Sequence, residues 1–113
     1  GRKTGRGFYT WRDGKADTSS GLPATSEPTA EMTDRLVLPM SNVCVACLRE
    51  GIVDNADVVD GAVIFGTGYA PFRGGPLNYA RTRGVENVVA TLEALTDKFG
   101  GRFTPDAGWE SFK

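Results

Sequence analysis

Between Gly61 and Gly84 the chain reads GAVIFGTGYAPFRGGPLNYARTRG, its densest run of glycine, proline and aromatic residues. Gly66 and Gly68 bracket Thr67, Pro71 follows Tyr69 by two residues, and Gly74-Gly75-Pro76 closes the run. Glycine reaches positive φ without a Cβ clash and proline pre-sets φ, so each of these marks a change of backbone direction. The run predicts a shaped loop joining two helices, with Pro76 at a first helical position. Tyr69, Phe72 and Arg73 ride on that loop. Aromatic rings on a Gly/Pro scaffold fold back onto a core or dock onto a partner, which makes Tyr69, Phe72, Arg73, Gly74 and Gly75 the candidate interaction residues.

The segments around the loop are helical in pattern. Thr29 is placed to cap a first helix with Glu31 in its first turn, and Met32, Leu36, Met40, Val43 and Cys47 recur at helical spacing. They predict one buried stripe, widened by Val37, Cys44 and Leu48, in a helix that bends at Pro39 and stops at Gly51. Asp54 or Asn55 caps a second helix that turns Val58, Val59, Ala62 and Val63 inward and ends at Gly66. Past the loop, Pro76 to Arg83 reads as a short helix stopped by Gly84. Val85, Val88, Leu92, Leu95 and Phe99 then give the cleanest periodicity of the chain, ended by Gly100-Gly101. A final helical turn carries Trp109 and Phe112. No segment alternates with period two for long, so the fold class is all-α.

The opening GRKTGRGFYTW alternates basic residues with glycine before Phe8, Tyr9 and Trp11, the pattern of an extended N-terminal tail anchored by buried aromatics. Phosphate-loop spacing is absent there. From Arg12 to Pro28 the composition is polar and rich in Thr, Ser, Gly, Ala and Pro, with Leu22 its only large apolar residue, which predicts a linker. The expected division is 1–12, a tail; 13–28, a linker; and 29–113, one helical domain.

Composition excludes more than it assigns. With 13 basic and 14 acidic residues in 113 positions, there is no net field to draw nucleic acid or an anionic membrane. No apolar run is long enough to span a bilayer and no secretory signal opens the chain, so the expected location is the cytoplasm. The chain starts at Gly1 inside a polar motif, as a piece of a longer polypeptide would. It contains no histidine, the commonest general base and metal ligand. Cys44-Val-Ala-Cys47 has redox-motif spacing but lies in the C-terminal half of a helix, where the dipole does not favour a thiolate, and no further Cys or His completes a zinc set. These read as reduced core cysteines.

The string RLVLPMSNVCVACLREGIVDNADVVDGAVIFGTGYAPFRGGPLNYARTRGVENVVATLEAL resembles the last helical repeat of the 3-hydroxyacyl-CoA dehydrogenase part of multifunctional fatty-acid oxidation alpha subunits. RKTGRGFYTW is similar to the end of the preceding repeat. The most specific piece is G-T-G-Y-A-P-F-R-G-G-P-L-x-Y-A. Departures fall at Val43, where the family pattern has glutamate, at Ala70 in place of proline, and at Arg81 in place of aspartate. The resemblance implies a helical domain of the 6-phosphogluconate dehydrogenase C-terminal-like type. It also implies NAD in the full-length enzyme, held by a Rossmann domain, and a His/Glu dyad, both encoded before Gly1. No catalytic, cofactor-binding or metal residue maps onto this chain. Its implied partners are the preceding helical repeat, the Rossmann domain and the acyl-CoA substrate of the whole enzyme, with dimerisation left open. The expected role is non-catalytic packing that supports the substrate cleft; the alternative is an independent helical protein-interaction module.

Overall fold

A computed structural model describes residues 2–18 and 27–112. Residues 19–26 of the linker, Leu22 included, lie outside the described residues. Its first part does not behave as a linker. Asp13 and Gly14 take φ of 51° and 75°, two successive positive angles that let strands β1 (Thr10–Arg12) and β2 (Lys15–Asp17) pair antiparallel, Trp11 opposite Ala16. An Asp-Gly pair supports that turn because both residues tolerate left-handed backbone. The aromatic anchors are not buried in this chain, for Phe8 is 94% exposed and Tyr9 is exposed. A two-stranded hairpin has no second layer to cover its faces.

Four α-helices carry the rest of the described chain: α1 (Ala30–Arg49), α2 (Ala56–Thr67), α3 (Pro76–Arg83) and α4 (Val85–Phe99). Short 3-10 turns follow at Gly101–Phe103 and Ala107–Glu110. The ends are chemically marked. Thr29 Oγ1 accepts from Met32 N and Asn55 Oδ1 from Val58 N, the side-chain capping that satisfies first-turn donors. α2 runs one residue past Gly66, and Gly68 in the left-handed region closes it. α1 continues through Pro39.

Val88, Leu92 and Leu95 of α4 are buried against a core that includes Leu38, Leu77 and Phe103, as the periodicity predicts. Trp109 and Phe112 of the final turn close the core edge to face, ring centroids 5.6 Å apart.

α1 faces differently from its apolar pattern. Met32, Leu36 and Val43 are exposed, and Met40 and Cys47 are only half-buried. The buried positions are Leu38, Ser41, Cys44 and Val45, Cys44 as expected, with Asp34 and Asn42 half-buried and Arg49 exposed at the end of the helix. Asp34 forms a two-pronged pair with Arg83, and the Ser41 hydroxyl donates to Pro76 O at 3.0 Å. Asn42 Oδ1 accepts from both Asp106 N and Trp109 Nε1 at 2.8 Å, while its amide donates to Thr104 O. Arg49 holds Asp106 at 2.9 and 3.0 Å. Leaving such donors and acceptors unpaired in the interior costs more than exposing a few aliphatic side chains, so the polar anchors set the rotation of the helix. In α2 Val59 is buried and Val63 packs on the core as expected, but Asp60 is buried too, and Val58 and Ala62 lie outside.

Candidate functional site

The loop from Gly68 to Gly75 is built between two fixed points. At its start Gly68 N donates to Ile64 O, ending α2. Ala70 to Arg73 then turn as a 3-10 helix, with Arg73 N bonded to Ala70 O and Gly74 N to Pro71 O. At its end Asp60 of α2 receives the first donors of α3: Oδ1 accepts from Leu77 N at 2.7 Å and Oδ2 from Asn78 N at 2.8 Å. A buried carboxylate at a helix N-terminus satisfies two orphan N–H groups and meets the positive end of the dipole. Gly75, at φ 102°, lets that happen, because a Cβ there would lie 2.3 Å from Asp60 carbons. Gly74 sits at φ 71°, and Asn78 Nδ2 beside it donates to Arg73 O.

On this frame the candidate side chains point different ways. Tyr69 is half-buried and, with Thr33, Val37, Ala70, Arg73 and Tyr79, lines a recess of about 190 Å³. Burial, reinforced by neighbouring Tyr79, raises the Tyr69 pKa above its ordinary value. Phe72 is 83% exposed, so its ring does not fold back onto the core of this chain. The Arg73 guanidinium carbon stands 5.5 Å from the Phe72 ring centroid and 5.8 Å from that of Tyr79, and among the described residues no carboxylate pairs with it. Gly74 and Gly75 are scaffold, and Tyr69, Phe72 and Arg73 are what the scaffold presents.

The loop does not fit a dinucleotide. Gly66 and Gly68 stand at the C-terminal end of α2, where the dipole repels phosphate, and no strand leads into them. The cysteines are free thiols. Cys44 is buried, and desolvation, with Cys47 and Asp60 nearby, pushes its pKa from 9.0 to about 11, so its thiolate is scarce at neutral pH. Cys47 is half-buried beside an apolar groove of about 560 Å³ between α1 and α2. No helix among the described residues is long and apolar enough to cross a membrane.

Sequence reasoning missed Asp60, Ser41, Asn42 and the Asp34–Arg83 pair, whose partners lie 17 to 67 residues away. Of the three departures from the family pattern, Val43 is exposed, Ala70 half-buried, and Arg81 lies 4.6 Å from the Phe112 ring centroid.

No family model matches the chain. Curated relatives do. The chain is 40% identical over 96% of its length to the fatty acid oxidation complex subunit alpha of Vibrio cholerae, and covers 16% of that protein. Against the subunit of the same name from Shewanella amazonensis it is 41% identical, covering 95% of the chain and 17% of the relative. The Vibrio vulnificus subunit is 36% identical over 96% of the chain. The chain thus spans about a sixth of the length of these relatives. The resemblance drawn from the sequence holds: over nearly all its residues this chain is similar to part of fatty acid oxidation complex alpha subunits.

Proposed function

We propose that the chain is a non-catalytic C-terminal helical part of an NAD-dependent 3-hydroxyacyl-CoA dehydrogenase, a cytoplasmic enzyme that oxidises 3-hydroxyacyl-CoA to 3-oxoacyl-CoA in fatty-acid β-oxidation. Its role there is to pack against the preceding helical repeat and the Rossmann domain and to support the substrate cleft. The observation that carries this reading is 40% identity over 96% of the chain to an alpha subunit of the fatty acid oxidation complex. The loop adds a physical basis. A pinned backbone holds Phe72 and Arg73 outward, which supplies an apolar anchor and an uncompensated guanidinium suited to a carboxylate or phosphate of a neighbouring domain or ligand.

The test is Arg73→Ala in two settings. In the 113-residue chain the melting temperature stays nearly unchanged, since an exposed cation–ring contact contributes about 0.5–1 kcal/mol. In the full-length enzyme the same change weakens domain docking or acyl-CoA affinity. A collapse of the melting temperature in the chain alone would make Arg73 part of this domain's own fold and remove the loop's interface role.

A further inference from the structure

Where the N-terminal half of α1 meets the Gly101–Phe103 turn, a recess of about 290 Å³ is lined by Met32, Arg35, Leu36 and Arg102, and it shares no residue with the recess behind the loop. Two rings position its cations. Phe99 and Phe103 stand tilted, centroids 6.2 Å apart, and each carries a guanidinium, Arg35 Cζ 4.0 Å from the Phe99 centroid and Arg102 Cζ 4.5 Å from that of Phe103. A ring face holds a guanidinium by its quadrupole and leaves the N–H groups of the fork free to donate. Phe103 is fully buried and Phe99 half-buried, so core packing sets where the two arginines stand.

The charge gathered there is not answered within the chain. Lys98 Nζ also lies 5.2 Å from the Phe99 centroid, so three cations surround the two rings. The acids of α1 nearest Arg35 are engaged elsewhere, Glu31 with Lys98 and Asp34 with Arg83. Among the described residues no carboxylate pairs with Arg35 or Arg102, and Arg35 Nε is buried without a hydrogen-bond partner. In a chain of net charge −1 this is a local excess of cation. A partly desolvated guanidinium without an acceptor costs free energy that a bound anion recovers.

We propose that this recess binds the phosphate monoester group of a small-molecule ligand. Two guanidinium forks from different segments, α1 and the turn after α4, line it together. A tetrahedral dianion uses both forks at once, whereas a carboxylate matches one. Met32 and Leu36, 53% and 78% exposed, line the same recess and offer an apolar wall to the carbon skeleton of the ester. The site takes nothing from Tyr69, Phe72 or Arg73, so it stands or falls independently of the loop.

Titration calorimetry with phenyl phosphate, inorganic phosphate and benzoate tests this on the 113-residue chain and on the full-length enzyme, with circular dichroism verifying that each variant is folded. The expected result is saturable binding of phenyl phosphate, weaker binding of inorganic phosphate and no measurable binding of benzoate. Affinity falls as salt screens the arginines, and it falls below about pH 6, where the phosphate loses its second charge. Arg102→Gln weakens phenyl phosphate binding roughly tenfold in both proteins, and Arg35→Gln does the same. No saturable binding, or binding untouched by Arg102→Gln, overturns the site. Inorganic phosphate held as tightly as phenyl phosphate makes it a site for the free ion and overturns the ester, and benzoate held as tightly overturns phosphate as the ligand. Binding that depends on Arg102 in the chain but not in the full-length enzyme gives the recess to a carboxylate of a neighbouring domain and overturns the small-molecule reading. Arg102 is exposed, so its variant remains informative if replacing Arg35 disturbs the packing on Phe99.

Discussion

α4 and α1 are both amphipathic by sequence, yet one buries the centre of its apolar stripe and the other leaves Met32, Leu36 and Val43 of its stripe outside. In α4 the polar anchors lie beside the apolar stripe, Asn87 and Thr91 accepting from Arg83 and Lys98 pairing with Glu31, so bonding them leaves Val88, Leu92 and Leu95 inside. In α1, Asp34, Ser41, Asn42 and Arg49 each have a partner elsewhere in the fold. Satisfying them rotates the helix and leaves Leu36 and Val43 outside. Hydrophobic periodicity located both helices, but it gave the facing of only the one whose polar anchors agree with its apolar stripe.

The largest effect expected follows from exchanging equivalent cuts between these helices. Leu92→Ala removes a fully buried side chain and should cost about 2–5 kcal/mol, whereas Leu36→Ala should stay within about 0.5 kcal/mol of the parent. Urea denaturation of both variants reads the contrast. Similar losses would mean that Leu36 is covered within the monomer and that the two stripes are alike after all.

Next is the junction that orients α3. Gly75→Val forces a side chain into a φ of 102° and against the Asp60 carboxylate. Strain and overpacking together should cost about 3 kcal/mol. Gly74→Val should cost less, because the atom it meets is the movable end of Asn78. Equal losses at the two glycines would show that backbone angle alone matters and that the Asp60 contact does not. Asn42→Ala tests the same principle within α1. It strands Asp106 N and Trp109 Nε1 and should destabilise by about 2 kcal/mol, more than Leu36→Ala despite removing a polar group.

Much of the fold was legible because its signals are local. Thr29, Asn55, Gly51, Pro76 and Gly84 mark helix ends within a few residues of what they terminate. The Asp13-Gly14 turn was equally local but was hidden by the polar composition read as linker. The loop from Tyr69 to Gly75 could be identified as shaped, and Gly74 and Gly75 as its hinges. What fixes the loop could not be read, because Asp60 sits in a helical pattern where an acid normally faces water. Only the three-dimensional approach of α2 to the start of α3 turns that acid into a cap. Exposure of Phe72 was likewise invisible, since a sequence does not say whether a ring's cover lies in the same chain.

The smallest effect concerns the anchor at the C-terminal end of α1. Arg49 donates to both carboxylate oxygens of Asp106, and this hydrogen bonding, with a further bond from Gly108 N, holds the Asp106 pKa below its ordinary 3.8. A carboxyl group whose pKa is lower folded than unfolded stabilises the fold above its unfolded pKa. That contribution disappears as pH falls through the folded value, so it should be lost progressively below about pH 4. Because Arg49 is substantially exposed and the pair is screened, the effect should be small and should shrink in high salt. Asp106→Asn keeps an acceptor for Gly108 N but has no titratable carboxyl, so its stability should fall less steeply than the parent's on acidification at low salt. If the two acid limbs coincide, the Arg49–Asp106 pair acts as a geometric anchor without a measurable charge contribution. α1 would then owe its rotation to Ser41, Asn42 and the Asp34–Arg83 pair.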